Sequence, residues 1–416
     1  MIRTFLFAGM VLVLSQTVAG AQRAPSLPNV DSLRAQLDRY RVASALPGAV
    51  LAVALEDGRV VSVASGMSDT TLGVAMHADD RLLMGSVGKT YVAAVALMLA
   101  RDGRLDLDAP AQRYVGGQGW YDSLPNASAI TVRHLMNHSS GLVRYEFRPE
   151  FTATLAEDPD RVWDPRDQVR FLHGTAAPFA PGEGWEYSDT NYLVLALIVE
   201  RVTGRPIDET IATELLRPNQ LESTVPSDSR TIPRLAQGYA GPGNPFGGRD
   251  AMLEEGRMSI NPQFEGAGGG YAATAADAAR WGAIYFSGRP FGDSLLAQAT
   301  MGPVARLGPG TRYGLGMILR DSTPAGPMRG HSGFFPGYLT ELRHYPARGV
   351  TIALLVNTSN ARPMPSMAAW IDALAATVGA AAPGAASRDV QDDGTPAVRS
   401  GRDVASARSA RTRPGF

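Results

Sequence analysis

Cysteine is missing from this chain of 416 residues. That removes disulfides, thiolate nucleophiles, cysteine-ligated zinc and iron–sulfur clusters from consideration. Excess charge is missing too. With 39 basic residues against 40 acidic ones the formal net charge is −1, so there is no basic field to grip a phosphate backbone, and nucleic acid is excluded as a partner. No internal repeat is present, which sets aside solenoids and propellers. Lysine is almost absent: Lys89 is the single lysine, and every other basic residue is an arginine. What remains is a globular composition, 44% hydrophobic and 19% charged, large enough for one core or for two lobes sharing one.

The two ends separate from the middle. Residues 1–21 carry Arg3, an apolar stretch from Thr4 to Leu14, and Ala19 and Ala21 placed as before a cleavage site. This reads as a secretory signal peptide, too short for a stable membrane span, and it predicts a mature protein that is periplasmic or extracellular. Residues 380–416 hold almost no large apolar side chain and read as a disordered tail. The catalytic-size region, 22–379, lies between them.

Within that region, residues 48–66 hold two valine-rich runs around an Asp-Gly turn, which predicts a β-hairpin. The segment after Lys89 is apolar on nearly every face and ends at Gly103, the pattern of a buried helix. Helical stretches alternate with Pro- and Gly-rich loops from about 110 to 262. Strand patterns resume near 313–319 and run through 334–346 and 349–359 before a last helix at 367–379. The fold class is therefore α+β. A sheet lobe (about 26–109 and 263–379) carries an inserted helical lobe (about 110–262).

Ser86 precedes Lys89 by three residues at the start of the buried helix, which puts hydroxyl and amine on one face. A serine is a weak nucleophile that needs a base. A lysine can be one when its pKa is lowered, whereas an arginine stays protonated. In a chain that uses arginine for nearly every cation, the retained lysine sits where only deprotonation distinguishes the two. A helix N-terminus also offers backbone N–H groups to a developing oxyanion. The neighbouring Gly-Lys-Thr is not a phosphate loop, because Leu83 stands where that motif needs a glycine. Tyr187-Ser188-Asp189 follows a turn and leads into a helix, and His331-Ser332-Gly333 leads into Phe334 and a strand. His134 and His138 are spaced like a helical metal pair but lack the accompanying glutamate, so no metal site is expected.

These three ordered motifs, S-x-x-K, Y-x-N-like and H-[ST]-G, resemble the serine β-lactamase and D-alanyl-D-alanine carboxypeptidase superfamily. The closest branch is the class C-like one, which also holds esterases and D-amino-acid peptidases. Connecting segments at 130–142, 266–281, 313–317 and 330–338 are similar as well. The resemblance implies a β-lactamase/transpeptidase-like fold with an antiparallel sheet flanked by helices. It further implies an acyl-serine hydrolase without metal or organic cofactor. Ser86 would be the nucleophile, Lys89 and Tyr187 the proton-transfer pair, and His331 a residue tuning the field. The backbone N–H groups of Ser86 and Phe334 would form the oxyanion hole, with Ser332 and Gly333 in the substrate wall between the helical lobe and the sheet edge at 331–340. Substrates would be small molecules or peptides holding an ester, a D-amino-acid amide or a β-lactam-like bond.

The chain departs from the family pattern twice. Asp189 stands where the family has asparagine, and an ionised carboxylate there favours the ammonium form of Lys89. The arginine that carboxypeptidases of the branch use for a substrate carboxylate is replaced by Ile318, with Arg320 two residues on as the candidate substitute. Asn191 would face another way. Asp189 also keeps open a catalytically silent, penicillin-binding or sensor-like protein. The loops at 145–151 and 238–257 are expected to line the cleft. Oligomeric state is not encoded in any of these motifs.

Overall fold

A computed structural model describes residues 26–241, 244, 250–361 and 363–378. The leader and the tail lie outside these residues. Eight strands form one antiparallel sheet: β1 (Gly48–Leu55), β2 (Val60–Asp69), β3 (Val74–Ala75), β4 (Thr311–Tyr313), β5 (Ile318–Arg320), β6 (Met328–Phe335), β7 (Tyr338–Tyr345) and β8 (Val350–Val356). Their spatial order is β3-β2-β1-β8-β7-β6-β5-β4. The first and last long strands of the chain thus meet at the centre, with Leu51 opposite Leu354.

Every residue of β1 and β8 is buried, because both faces of the sheet are covered. Alternation then sorts the side chains. Leu51, Val53, Ile352 and Leu354 point to a layer built from α1 (Val30–Ala43) and the C-terminal helix Met367–Thr377, where Tyr40 stacks on Trp370 at 4.4 Å. Val50, Ala52, Ala353 and Leu355 point the other way, toward α2 (Lys89–Arg101) and the helix Ala275–Tyr285. Small residues bring that second helix close to the sheet: a Cβ on Gly282 would lie 2.8 Å from Leu342.

The segment between 110 and 262 consists of short helices joined by long loops, and its longest element is α3 (Thr190–Thr203), capped by Gly204 in the left-handed region at φ 74°. α2 is buried along most of its length, Lys89 included. The fold is the α+β, sheet-and-helices architecture expected from the sequence. No helix among the described residues is long and apolar enough to cross a membrane.

Candidate active site

Ser86 lies in a single 3-10 turn, Gly85–Gly88, that runs directly into α2, and Lys89 is the first residue of that helix. The turn puts the two side chains together: Lys89 Nζ donates to Ser86 Oγ at 3.0 Å. The same ammonium donates to the Gly268 carbonyl and pairs with Asp189 Oδ1. Burial is the largest influence on Lys89 and acts to lower its pKa, but Asp189 and Tyr187 together outweigh it and the net shift is upward.

Asp189 occupies the N-cap of α3 yet makes no capping hydrogen bond with its side chain. Its carboxylate is shared between two cations, Lys89 on Oδ1 and Arg144 Nη2 on Oδ2 at 3.0 Å. Burial works against its charge, and the attraction of Lys89 and Arg144 still holds it below the usual carboxylate range. Arg144 also donates from Nε to Glu146 at 2.5 Å. Lys89, Asp189, Arg144 and Glu146 therefore form one continuous chain of polar contacts, in which burial and the Asp189 charge raise the Glu146 carboxyl well above its usual range.

Tyr187 stands over this chain, with Lys89 Nζ 4.9 Å from the ring centroid. Its hydroxyl is buried near Ser86 and Lys89 without a hydrogen bond of ordinary geometry. Burial raises the phenol while Lys89 pulls it down, and burial prevails. The Tyr187 turn is pinned from below. Ser188 Oγ and Thr190 Oγ1 both donate to the Val143 carbonyl, at 2.9 and 2.8 Å, and Ser188 N donates to His138 Nδ1 at 3.3 Å. Asn191 also reaches His138 Nδ1, at 3.1 Å, and so turns away from Ser86 as expected. His138 is thus a structural support for the tyrosine turn.

His331 is buried on β6. Its Nδ1 meets the Ser332 carbonyl at 2.7 Å and its Nε2 meets the Tyr313 hydroxyl at 2.8 Å, which assigns the ring proton to Nδ1. Burial and the nearby Lys89 charge push its pKa down to about 3, so the imidazole is neutral. Two glycines bring β6 against the nucleophile, and a third brings the 262–269 turn there. A Cβ on Gly85 would lie 2.6 Å from Phe334 N, one on Gly333 would lie 1.8 Å from the Met84 carbonyl oxygen, and one on Gly269 would lie 2.9 Å from Ser86 N. Gly85 also has φ +50°, a conformation that favours glycine.

The His331-Ser332-Gly333 triplet is not on an outermost strand, because β5 and β4 lie beyond β6. β5 pairs only with Met328–Gly330, however, so from His331 onward that side of β6 carries no strand partner among the described residues. The open side faces a cavity of about 540 Å³ lined by Ser86, Tyr187, Asp189, His331, Ser332, Gly333 and Phe334.

The cavity departs from the sequence reading in its walls. Tyr145, Glu146 and Phe147 line it, but no described residue of 238–257 does. The wall also includes Leu307, Ile318 and the start of the C-terminal helix, Ser366 to Ala368. Arg320 is not part of the wall: the cavity ends at Ile318, and the Arg320 Nε is buried without a partner. Sequence reasoning missed Arg144 and Glu265. A carboxylate at the Y-x-N position calls for a second cation, and that was the available signal for Arg144.

The sheet and its flanking helices are those of a β-lactamase-related serine hydrolase. The chain belongs to the Beta-lactamase family, whose model matches residues 33–377. It is 28% identical over 346 residues to penicillin-binding protein 4 of Amycolatopsis lactamdurans, covering 77% of this chain and 84% of that protein. It is 32% identical over 180 residues to esterase EstB of Burkholderia gladioli, 42% of this chain and 45% of the esterase. Among solved structures, a D-stereospecific amidohydrolase from Streptomyces sp. superposes with a TM-score of 0.71 at 27% identity, covering 83% of this chain and 98% of that one.

Proposed function

We propose that the chain is an exported hydrolase that cleaves carboxylic esters or amides through an acyl intermediate on Ser86. The carrying observation is the 3.0 Å hydrogen bond between the chain's only lysine and the Ser86 hydroxyl at a cavity wall. In the resting site Lys89 is an ammonium and Tyr187 a phenol, so neither is a base. One proton must leave the pair first. The deprotonated pair then accepts the Ser86 proton as Oγ bonds to the substrate carbonyl carbon. It returns that proton to the leaving oxygen or nitrogen as the acyl-serine forms. Water repeats the sequence and releases the acid. The backbone N–H groups of Ser86 and Phe334 are the assigned oxyanion donors, and the close packing at Gly85 and Gly333 supports that assignment. Ser332 and Gly333 hold substrate along the open side of β6. Neutral His331 is held by the Tyr313 hydroxyl and adds no charge to the wall. No step calls for a metal or an organic cofactor.

The leader at 1–21 and the penicillin-binding relatives support export, with 22–379 as the mature hydrolase and 380–416 as its tail. A second reading is a protein acylated without turnover, and the observation favouring it is the Asp189 pairing that keeps Lys89 protonated. Hydrolysis of p-nitrophenyl acyl esters by wild type, Ser86→Ala and Lys89→Arg tests the proposal. Turnover that falls at least about 10³-fold in Ser86→Ala and at least about 10²-fold in Lys89→Arg is expected. Turnover that survives in Ser86→Ala overturns it, and a stable adduct without turnover favours the second reading.

A further inference from the structure

The Tyr187 hydroxyl has no hydrogen bond of ordinary geometry, so what fixes it beside Ser86 lies elsewhere. His138, in the loop after the helix Val132–Met136, supplies the hold. It is fully buried and takes the left-handed backbone region at φ 63°, which is uncommon for a residue with a side chain. In that conformation its two acceptors reach the same short segment. The carbonyl receives Glu186 N at 3.1 Å and Nδ1 receives Ser188 N at 3.3 Å, so one residue holds the amides on both sides of Tyr187. The imidazole also lies against the Tyr187 ring, with centroids 4.2 Å apart.

These bonds fix the form of the imidazole. Ser188 donates from a backbone N–H, and Asn191 donates from Nδ2 because its Oδ1 already accepts from Ser140 Oγ at 2.5 Å. Nδ1 is therefore an acceptor and the ring proton sits on Nε2, which is buried with no hydrogen-bond partner among the described residues. A second ring proton would cost both bonds. Burial, with the Lys89 charge acting the same way, pushes the imidazole well below its usual range, so Nδ1 stays an acceptor at neutral pH.

We infer that His138 is a positioning residue for Tyr187: its Nδ1 acceptor holds the phenol where it hands a proton to the departing group, and so sets how well the enzyme expels a poor leaving group. The inference rests on the acyl-serine reading, with Tyr187 as the member of the pair that meets the leaving group. As the carbonyl carbon–oxygen bond breaks, the departing oxygen takes the proton that came from Ser86 and leaves as an alcohol. p-Nitrophenoxide can leave without that proton, whereas ethoxide cannot.

The test compares kcat/KM for p-nitrophenyl butyrate and ethyl butyrate, two esters of one acyl group. His138→Phe keeps a ring and removes the acceptor. His138→Asn keeps an acceptor in the place of Nδ1, and asparagine tolerates the left-handed region. His138→Phe is expected to lose at least about 10²-fold toward the ethyl ester and less than about tenfold toward the p-nitrophenyl ester, with KM changing less than about threefold. His138→Asn should stay within about tenfold of wild type on both. Equal losses on the two esters mark a general packing defect and overturn the inference. So does an asparagine variant no better than the phenylalanine one, or a phenylalanine variant that matches wild type. If His138→Phe does not fold, His138→Gly, which suits φ 63° and also lacks the acceptor, takes its place with the same expected split. Crystal structures of the variants need no turnover. The Tyr187 hydroxyl should move by more than about 0.5 Å without the acceptor and by less in His138→Asn, and a hydroxyl that stays put without the acceptor overturns the inference. Wild-type hydrolysis that survives in Ser86→Ala defeats the acyl-serine reading instead, so the two failures are told apart.

Discussion

Asp189 pairs with Lys89 at the point where the N-termini of α2 and α3 converge beside Ser86. Residues a hundred positions apart thereby set one proton inventory, and the carboxylate holds the lysine in the form that cannot accept a proton. Reactivity then begins only where the Lys89–Tyr187 pair loses a proton, on the alkaline side of that titration.

Replacing Asp189 with asparagine removes the largest attraction that raises Lys89, and burial, which acts to lower it, gains the upper hand. The deprotonated pair is the active form, so the acid limb of kcat/KM should move to lower pH, by about 1–3 units. The pH–rate profile of Asp189→Asn checks this. A limb that stays in place means that Asp189 does not control the pair.

Arg144 should act with the opposite sign. It takes one oxygen of Asp189, and its removal leaves the whole carboxylate to Lys89. Arg144→Gln should therefore shift the acid limb upward by about one unit, with KM for a neutral ester changing less than kcat at neutral pH. Opposite shifts in the two variants would mark Arg144 as a positioning residue that works through Asp189.

Gly85 leaves no room for a side chain against Phe334. Gly85→Ala would strain a backbone at φ +50° and push the Phe334 N–H away from Ser86. A loss of about 10²–10³ in kcat is expected, the size seen when an oxyanion donor is lost, with Ser86 still reactive toward a fluorophosphonate. Steady-state kinetics and adduct mass measured on one preparation distinguish the two effects.

His331 should not titrate between pH 4.5 and 8.5, because burial and Lys89 push it down to about 3. The imidazole signals assigned by comparison with His331→Leu check this by NMR. The same variant leaves the Tyr313 hydroxyl without its 2.8 Å partner and should lose about 1–3 kcal/mol of stability in urea unfolding.

Much of this was legible in the sequence. The Val-rich runs of 48–66 form β1 and β2, and the all-apolar pattern after Lys89 becomes the buried helix α2, because both patterns depend on local periodicity. Ser86, Lys89, Tyr187 and His331 come together as their ordered motifs implied. Arg144 and Glu265 were not legible. They enter the site through the path of loops whose charged residues look like any solvated turn, and those two loops are tied together by the Tyr145 hydroxyl, which donates to the Phe264 carbonyl at 2.6 Å. Arg320 illustrates the same limit. Alternation puts it on the face of Ile318, but where the cavity ends depends on the far wall, which the C-terminal helix supplies.

The most direct test is intact-mass spectrometry of the mature protein after exposure to a fluorophosphonate. One adduct per chain, mapped to the peptide containing Ser86, absent in Ser86→Ala and formed at least about 10²-fold more slowly in Lys89→Arg, is the expected result. A folded wild-type protein that takes no label, or a label that persists in Ser86→Ala, would contradict Ser86 as the nucleophile.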